Sequence, residues 1–321
     1  MQDNEYIIET HIKELDWSMP PVNLYEPLQY IMSQGGKRIR PQLCLLSADL
    51  FEGDKKQAIY PAIAFELLHN FTLLHDDIMD NAPLRRGKET VYKKWNTNIA
   101  ILSGDALFAK SFEYLLGYKE KQLPLLVALL TKTAIEICEG QQLDLDFEEK
   151  KDVETTQYLT MIRLKTAVML ASCLKAGAIT SFASEKEQEL IYDFGIKTGL
   201  AFQIQDDMLD VYANENKFGK NTGGDIAENK KTYMSLKALE LAQGEDFLEL
   251  HRYFSSQEFD RAEKFTAIKS IYDKYGVKEE AHNLINQYYK EAICILEQID
   301  VQQAAKHELI GFINKLINRD Y

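Results

Sequence analysis

Phe71–Arg86 reads FTLLHDDIMDNAPLRR, an apolar helical run ending in three carboxylates, Asp76, Asp77 and Asp80, with Arg85 and Arg86 just past a proline. An α-helix advances about 100° per residue, so Asp76 and Asp80 stack on one face. A like-charged pair at that spacing costs a helix roughly 0.2–0.5 kcal/mol, which a solvated helix tip tolerates. A second copy is harder to dismiss. Asp206-Asp207-Met208-Leu209-Asp210 repeats the spacing after the apolar run GLAFQIQ and before a lysine-bearing loop. The expectation is of two helices facing each other, with hard divalent cations between them.

Outward from these stretches the chain reads as helix after helix. Apolar residues recur at three- and four-residue spacing in Tyr6–Leu15, Leu28–Met32, Leu43–Leu50, Ile59–Ile78, Ile101–Leu116 and Leu125–Ile137. The pattern continues in Tyr158–Ala178, Glu187–Val211 and Met234–Leu241, and more weakly in Ala262–Tyr275, Glu279–Ile299 and Ala304–Ile317. Strand-length alternation is scarce, and all seven prolines fall at or before Pro124. Gly35-Gly36, Gly53, Gly104, Gly219 and Gly223-Gly224 read as punctuation, whereas Gly177, Gly195 and Gly199 lie inside helical patterns and point to close packing. No low-complexity linker divides the 321 residues, so a single all-α domain spanning 1–321 is expected.

A net charge of −13 argues against a nucleic-acid binder, which needs a basic face for phosphates. An anionic small molecule is still compatible, if cations and local Lys and Arg invert the field in one cleft. Cys44, Cys138, Cys173 and Cys294 lack CxxC spacing, so no zinc site or disulfide framework is indicated and a reducing cytoplasm fits. The acidic, amphipathic beginning is not a signal peptide, and the apolar run near Leu123–Leu130 is too short for a membrane span.

Gly35-Gly36-Lys37-Arg38-Ile39-Arg40-Pro41 sets glycine flexibility before three cations, with Pro41 suited to the first turn of a helix. Lys37 and Arg40, three apart, suit the two ends of a diphosphate, and surface loops also carry such basic runs. His69 precedes Asp76 by seven residues and shares its face, while His75 points about 100° away. Lys165-Thr166 falls inside a helix, Gln203 precedes Asp206 by three residues, and Lys220 sits in the glycine-rich loop FGKNTGGD. Each alone is more often a solvated side chain than a ligand.

Taken together, GGKRIRP, LLHDDIMD with the following LRRG, LKTA, and FQIQDDMLD with FGKNTGGD resemble the trans-isoprenyl diphosphate synthases, or polyprenyl synthetases. The motifs stand in that family's order over residues 35–232. The resemblance implies a bundle of long, mostly antiparallel helices around a central cavity, a homodimer, and three Mg²⁺ ions on an allylic diphosphate. It implies Asp76, Asp80 and Asp206 as metal ligands, with Asp77, Asp207 and Asp210 auxiliary. It places Lys37, Arg40, His69 and Arg86 on isopentenyl diphosphate, and Arg85, Lys165, Thr166, Gln203 and Lys220 on the allylic diphosphate. Lys165 and Lys220 join the three metal-ligand aspartates as catalytic residues. Ionisation of the allylic C–O bond, attack by the isopentenyl double bond and loss of a proton to the departing diphosphate are the implied steps.

Helical geometry puts Thr72 about 40° from Asp76 but Phe71 about 140° away, so periodicity leaves Phe71 open between core packing and a cavity floor. The resemblance to geranylgeranyl diphosphate synthases favours the floor: an aromatic five residues before the first motif, a small residue four before, and no insertion between Asp77 and Asp80. A C20 product is therefore expected, with C15 or longer products as alternatives. Asn229-Lys230-Lys231-Thr232 and Tyr233-Met234-Ser235-Leu236 lack the family's glycine and proline, which puts a phosphate role for Lys230 in doubt. A class I terpene cyclase would replace the second motif and has no need of GGKRIRP. A non-catalytic partner subunit would be expected to lose an aspartate motif, and both are intact.

Overall fold

The structure is a computed structural model that describes residues 2–150, 152–213, 223–255 and 259–317. It is almost wholly helical, and the described strands are the two-residue pair Leu84–Arg85 and Lys88–Glu89. The chain divides into two compact units. One comprises Met1–Ala134, Ser172–Tyr192 and Val301–Leu309; the other comprises Ile135–Ala171, Asp193–Asp300 and Ile310–Tyr321.

The first unit is built on the helix Lys55–Met79, which packs between Ile39–Leu50 and Thr97–Leu115. Asp54 caps its start by accepting from the Lys56 N–H. Its middle is buried on every side, and Ala62, Ile63, Ala64, Leu67 and Leu68 are fully buried. Each large aliphatic side chain so buried stabilises the fold by about 1.5–3 kcal/mol. That burial holds the helix through to its acidic C-terminal turn, where Asp80 is the cap and donates its N–H to Asp76 O at 2.8 Å. Gly104 does not punctuate: it lies within Thr97–Leu115, where a methyl group would overlap the His75 imidazole.

The second unit packs Thr155–Ile162, Tyr233–Leu241, Arg261–Lys274 and Val277–Leu296 around buried Tyr158, Phe194 and Tyr272. The pattern read as one helix from Tyr158 to Ala178 is interrupted by a π-helical turn at Arg163–Ala167. That turn carries LKTA. Helix Gly244–Ser255, absent from the periodicity reading, begins at a left-handed Gly244. Among the described residues no helix is long and apolar enough to cross a membrane.

Candidate active site

In the first unit the acidic turn and the arginines meet through a hairpin. Arg86 and Gly87 both adopt positive φ, which turns the chain in two residues and pairs Leu84 with Glu89 and Arg85 with Lys88. Arg85 Nε then donates to Asp77 Oδ1 at 2.6 Å, and Asp77 is 2% exposed. Burial raises the Asp77 pKa and the Arg85 guanidinium opposes it. Asp76 is half-buried and Asp80 exposed.

The GGKRIRP loop lies beside this hairpin. Arg86 donates to the Gly35 carbonyl, and Gly36, at φ +143°, leaves no room for a Cβ against the Arg86 guanidinium. Arg38 takes a left-handed backbone conformation at φ 44° and turns inward. Its guanidinium donates to Glu9 Oε1 at 2.9 Å, Glu66 Oε1 at 2.8 Å and the Met32 carbonyl at 2.9 Å. The inward turn of Arg38 sets its neighbour Lys37 in solvent and places Arg40 in the first helical turn.

Arg40, Arg86, Arg85 and Arg38 all act electrostatically on His69. Burial, reinforced by those four cations, holds the His69 pKa well below its ordinary value, so the imidazole is neutral near pH 7. Burial also lowers the pKa of Arg40 and Arg86, and buried Glu66 offsets it for both. Arg40 Nε is shielded from solvent and has no hydrogen-bond partner among the described residues. A buried, unsatisfied cationic donor among further guanidiniums is what a diphosphate oxygen would satisfy. Arg40, His69 and Arg86 thus belong to one neighbourhood with Arg85, while Lys37 is exposed three residues before Arg40. Thr72 donates to the His69 carbonyl at 2.8 Å. Phe71 packs at a tilt against Phe108 with ring centres 5.2 Å apart, and Phe108 meets Phe112 edge to face at 5.3 Å.

In the second unit the three aspartates of the second motif differ in their surroundings. Asp206 is exposed, while Asp207 is 5% exposed. Asp207 accepts hydrogen bonds from the Tyr158 hydroxyl, the Tyr233 N–H at 3.1 Å and Gln203 Nε2 at 3.2 Å. Burial pushes its pKa up to about 7 against these three donors. Asp210 accepts the Asp225 N–H at 3.0 Å, and burial beside Asp210 raises the Asp225 pKa well above the carboxylate range. Lys230 pairs with Glu228 at 3.3 Å and acts favourably on both Asp210 and Asp225.

Lys165 and Thr166 share the π-turn, a feature frequent at functional sites. Gly140 and Gly199 let neighbouring helices close on it: a methyl at either would overlap the backbone of Lys165 or Ala167. Lys165 pairs with Asp144, and Thr166 Oγ1 lies 3.0 Å from Gln203 Oε1. Lys220 lies outside the described residues. Sequence reasoning passed over Glu66, Asp144, Tyr158 and Asp225. Glu66 had a signal, as a lone carboxylate in the apolar run AIAFELLHN three residues before His69, and Asp225 ends the glycine loop. Tyr158 and Asp144 had none.

Carboxylates at helix C-termini oppose the helix dipole, which favours cations there by about 0.3–1 kcal/mol each. Both acidic motifs end long helices that carry no basic residue in the last turn. Among the described residues no three such side chains are preassembled as a metal site. That donor set fits Mg²⁺, which keeps several waters and binds through one or two carboxylates together with substrate phosphates.

The family model for polyprenyl synthetase matches residues 21–272, which takes in every motif above. The chain belongs to the polyprenyl synthetase family. Among curated relatives, a short chain isoprenyl diphosphate synthase of Methanothermobacter thermautotrophicus is 40% identical over 301 residues, 92% of this chain and 91% of that one. A geranylgeranyl diphosphate synthase of Sulfolobus acidocaldarius is 38% identical over 280 residues, 86% and 84% of the two chains. A crystal structure of a geranylgeranyl pyrophosphate synthase matches with a TM-score of 0.95 at 41% identity, covering 100% of this polyprenyl synthetase and 99% of that chain. The all-α class read from the sequence holds.

Proposed function

We propose that this polyprenyl synthetase condenses isopentenyl diphosphate head to tail with allylic diphosphates, with geranylgeranyl diphosphate as its main product. The observation that carries this reading is the gathering of Arg40, Arg85 and Arg86 about a neutral His69 in a unit that also bears an acidic helix end. A cyclase ionises one diphosphate. A condensing enzyme must also hold a second, and this basic neighbourhood supplies a place for it. Lys37, Arg40, His69 and Arg86 hold isopentenyl diphosphate in this reading; Arg85, Lys165, Thr166, Gln203 and Lys220 serve the allylic substrate.

Asp76, Asp80 and Asp206 are the proposed ligands for three Mg²⁺ ions, with Asp77, Asp207 and Asp210 in supporting positions behind them. When bound, Mg²⁺ neutralises charge that grows on the diphosphate as the C–O bond breaks. A unit-charge contact at about 4 Å contributes on the order of 4 kcal/mol at an effective dielectric of 20. A few such contacts reach the scale of about 8 kcal/mol needed for a large rate enhancement. The side chains themselves orient the two substrates and leave the departing diphosphate as proton acceptor. The family match draws on both compact units, which supports treating the chain as one catalytic domain.

A homodimer is part of the proposal. Ile101 (40% exposed), Leu102 (60%) and Leu116 (53%) leave large apolar side chains uncovered along and just past one helix of the first unit, which suits a second copy. A cytoplasmic setting is supported by four cysteines that all stand as thiols. The test is incubation with radiolabelled isopentenyl diphosphate, Mg²⁺ and each of the C5, C10 and C15 allylic diphosphates, followed by sizing of the extracted alcohols. C20 alcohol is expected. Products of C15 or longer than C20 would correct the chain length, and no incorporation would reject the activity.

A further inference from the structure

Asp207 sits within the second aspartate motif, yet its contacts point inward. It is 5% exposed, and the hydroxyl of Tyr158, the N–H of Tyr233 and the amide of Gln203 converge on its carboxylate. Tyr233 is the first residue of the helix Tyr233–Leu241, so its N–H is one of the donors that helix leaves unpaired. These bonds fix the polarity of everything upstream. Gln203 turns its Nε2 to that carboxylate at 3.2 Å, and an amide nitrogen can only donate. The Gln203 carbonyl then faces Thr166 at 3.0 Å and can only accept, so Thr166 must donate its hydroxyl hydrogen there. With that hydrogen committed, Thr166 has only lone pairs left for a substrate.

We propose that Asp207 is a positioning residue: through Gln203 it orients the Thr166 hydroxyl so that lone pairs of oxygen, and no hydrogen, meet the electron-poor carbon formed as an allylic diphosphate ionises. Asp207 is then no cation ligand, and Tyr158 and the Tyr233 N–H hold its carboxylate in register. The inference rests on the condensing activity proposed above. It adds a reason for the order of polar groups along Tyr158, Asp207, Gln203 and Thr166, a chain that reaches the π-turn from a buried anchor.

The substitution Asp207→Asn tests the polarity with little change of shape. The amide it introduces accepts from Tyr158 and Tyr233 through its oxygen and presents NH₂ to Gln203. The Gln203 amide then flips, donates to Thr166 and turns the hydroxyl hydrogen toward the substrate. Adding Gln203→Glu restores an acceptor at position 203, and with it the original direction of the Thr166 hydroxyl. Three quantities are measured: kcat and KM for each substrate, Mn²⁺ affinity with inorganic diphosphate by electron paramagnetic resonance, and the melting temperature.

The expected result for Asp207→Asn is a fall in kcat of roughly ten- to a hundredfold, below the roughly hundred- to thousandfold loss of a whole preorganised donor because the hydroxyl is turned and not removed. KM for isopentenyl diphosphate and Mn²⁺ affinity should stay within about twofold, and the double variant should recover most of the lost kcat. An unchanged kcat, a Mn²⁺ affinity weakened tenfold or more, or a double variant no faster than the single would each overturn the proposal. If Asp207→Asn fails to fold, Thr166→Val decides: it removes the lone pairs at constant shape, and a kcat equal to that of the unsubstituted enzyme would reject the role. A protein without substitution that incorporates no isopentenyl unit would instead reject the condensing activity.

Discussion

Arg38→Met tests how the basic loop is held. Arg38 is 5% exposed and Glu66 3%, and their groups meet at 2.8 Å. Removing the guanidinium strands the Glu66 carboxylate with weak help from Asn70 Nδ2 at 3.4 Å. Breaking a buried ion pair from one side costs about 3–5 kcal/mol, since the remaining charge stays desolvated. The bond to the half-exposed Glu9 adds little, as partly solvated pairs contribute about 0–1 kcal/mol. Relief of the left-handed backbone is absent, because methionine meets the same strain at φ 44°. The sum stays near 3–5 kcal/mol, a large part of a total stability of about 5–15 kcal/mol. Urea unfolding followed by circular dichroism measures it, with Glu66→Gln and the double variant completing the cycle. The double variant should be more stable than Arg38→Met alone, because no unpaired buried carboxylate is left. A loss below about 1 kcal/mol for Arg38→Met, or a double variant as unstable as the summed singles, would refute the reasoning.

Asp80→Ala and Asp206→Ala should fold and lose about a thousandfold in condensation rate, from a lost contact on the order of 4 kcal/mol; retained turnover with Mg²⁺ would count against them as ligands. Phe71→Ala should lengthen the products, and because Phe71 packs against Phe108, Phe71→Ala with Phe108→Ala should lengthen them further, as read by alcohol chain length. The depressed pKa of His69 makes the unfolded chain take up the proton first, so stability falls as pH drops below about 6.5 toward the folded value. One proton allows at most about 1.4 kcal/mol per pH unit, and His69→Gln should flatten the stability profile by that slope in urea titrations at pH 5–7.

The helices were legible because apolar residues recur at helical spacing, and Lys55–Met79 and Glu185–Tyr212 were placed nearly end to end. Arg86 was legible as a cation but not as a turn, because LRRGKE lacks the alternation that announces a strand. The π-turn under Lys165 was invisible for a different reason: it depends on Gly140 and Gly199, distant in sequence, letting other helices approach. Glycine spacing hinted at close packing, but not at what packed there. Arg38 and Arg40 look alike in GGKRIRP. One serves as a buried strut and the other keeps an unpaired Nε, and that division follows from Glu66 and Glu9, which no local pattern links to the loop. Asp207 is set apart from Asp206 by burial, with the Tyr158 hydroxyl and the Tyr233 N–H donating to it from elements that no local pattern links to the motif.

The central claim is that two diphosphates are bound and one is expelled as a carbon–carbon bond forms. Counting inorganic diphosphate released from farnesyl diphosphate against isopentenyl units incorporated, in Mg²⁺ and again in excess EDTA, tests it most directly. One diphosphate per incorporated unit, abolished by EDTA, is the outcome expected. Diphosphate released without incorporation, or incorporation undiminished by EDTA, would contradict it.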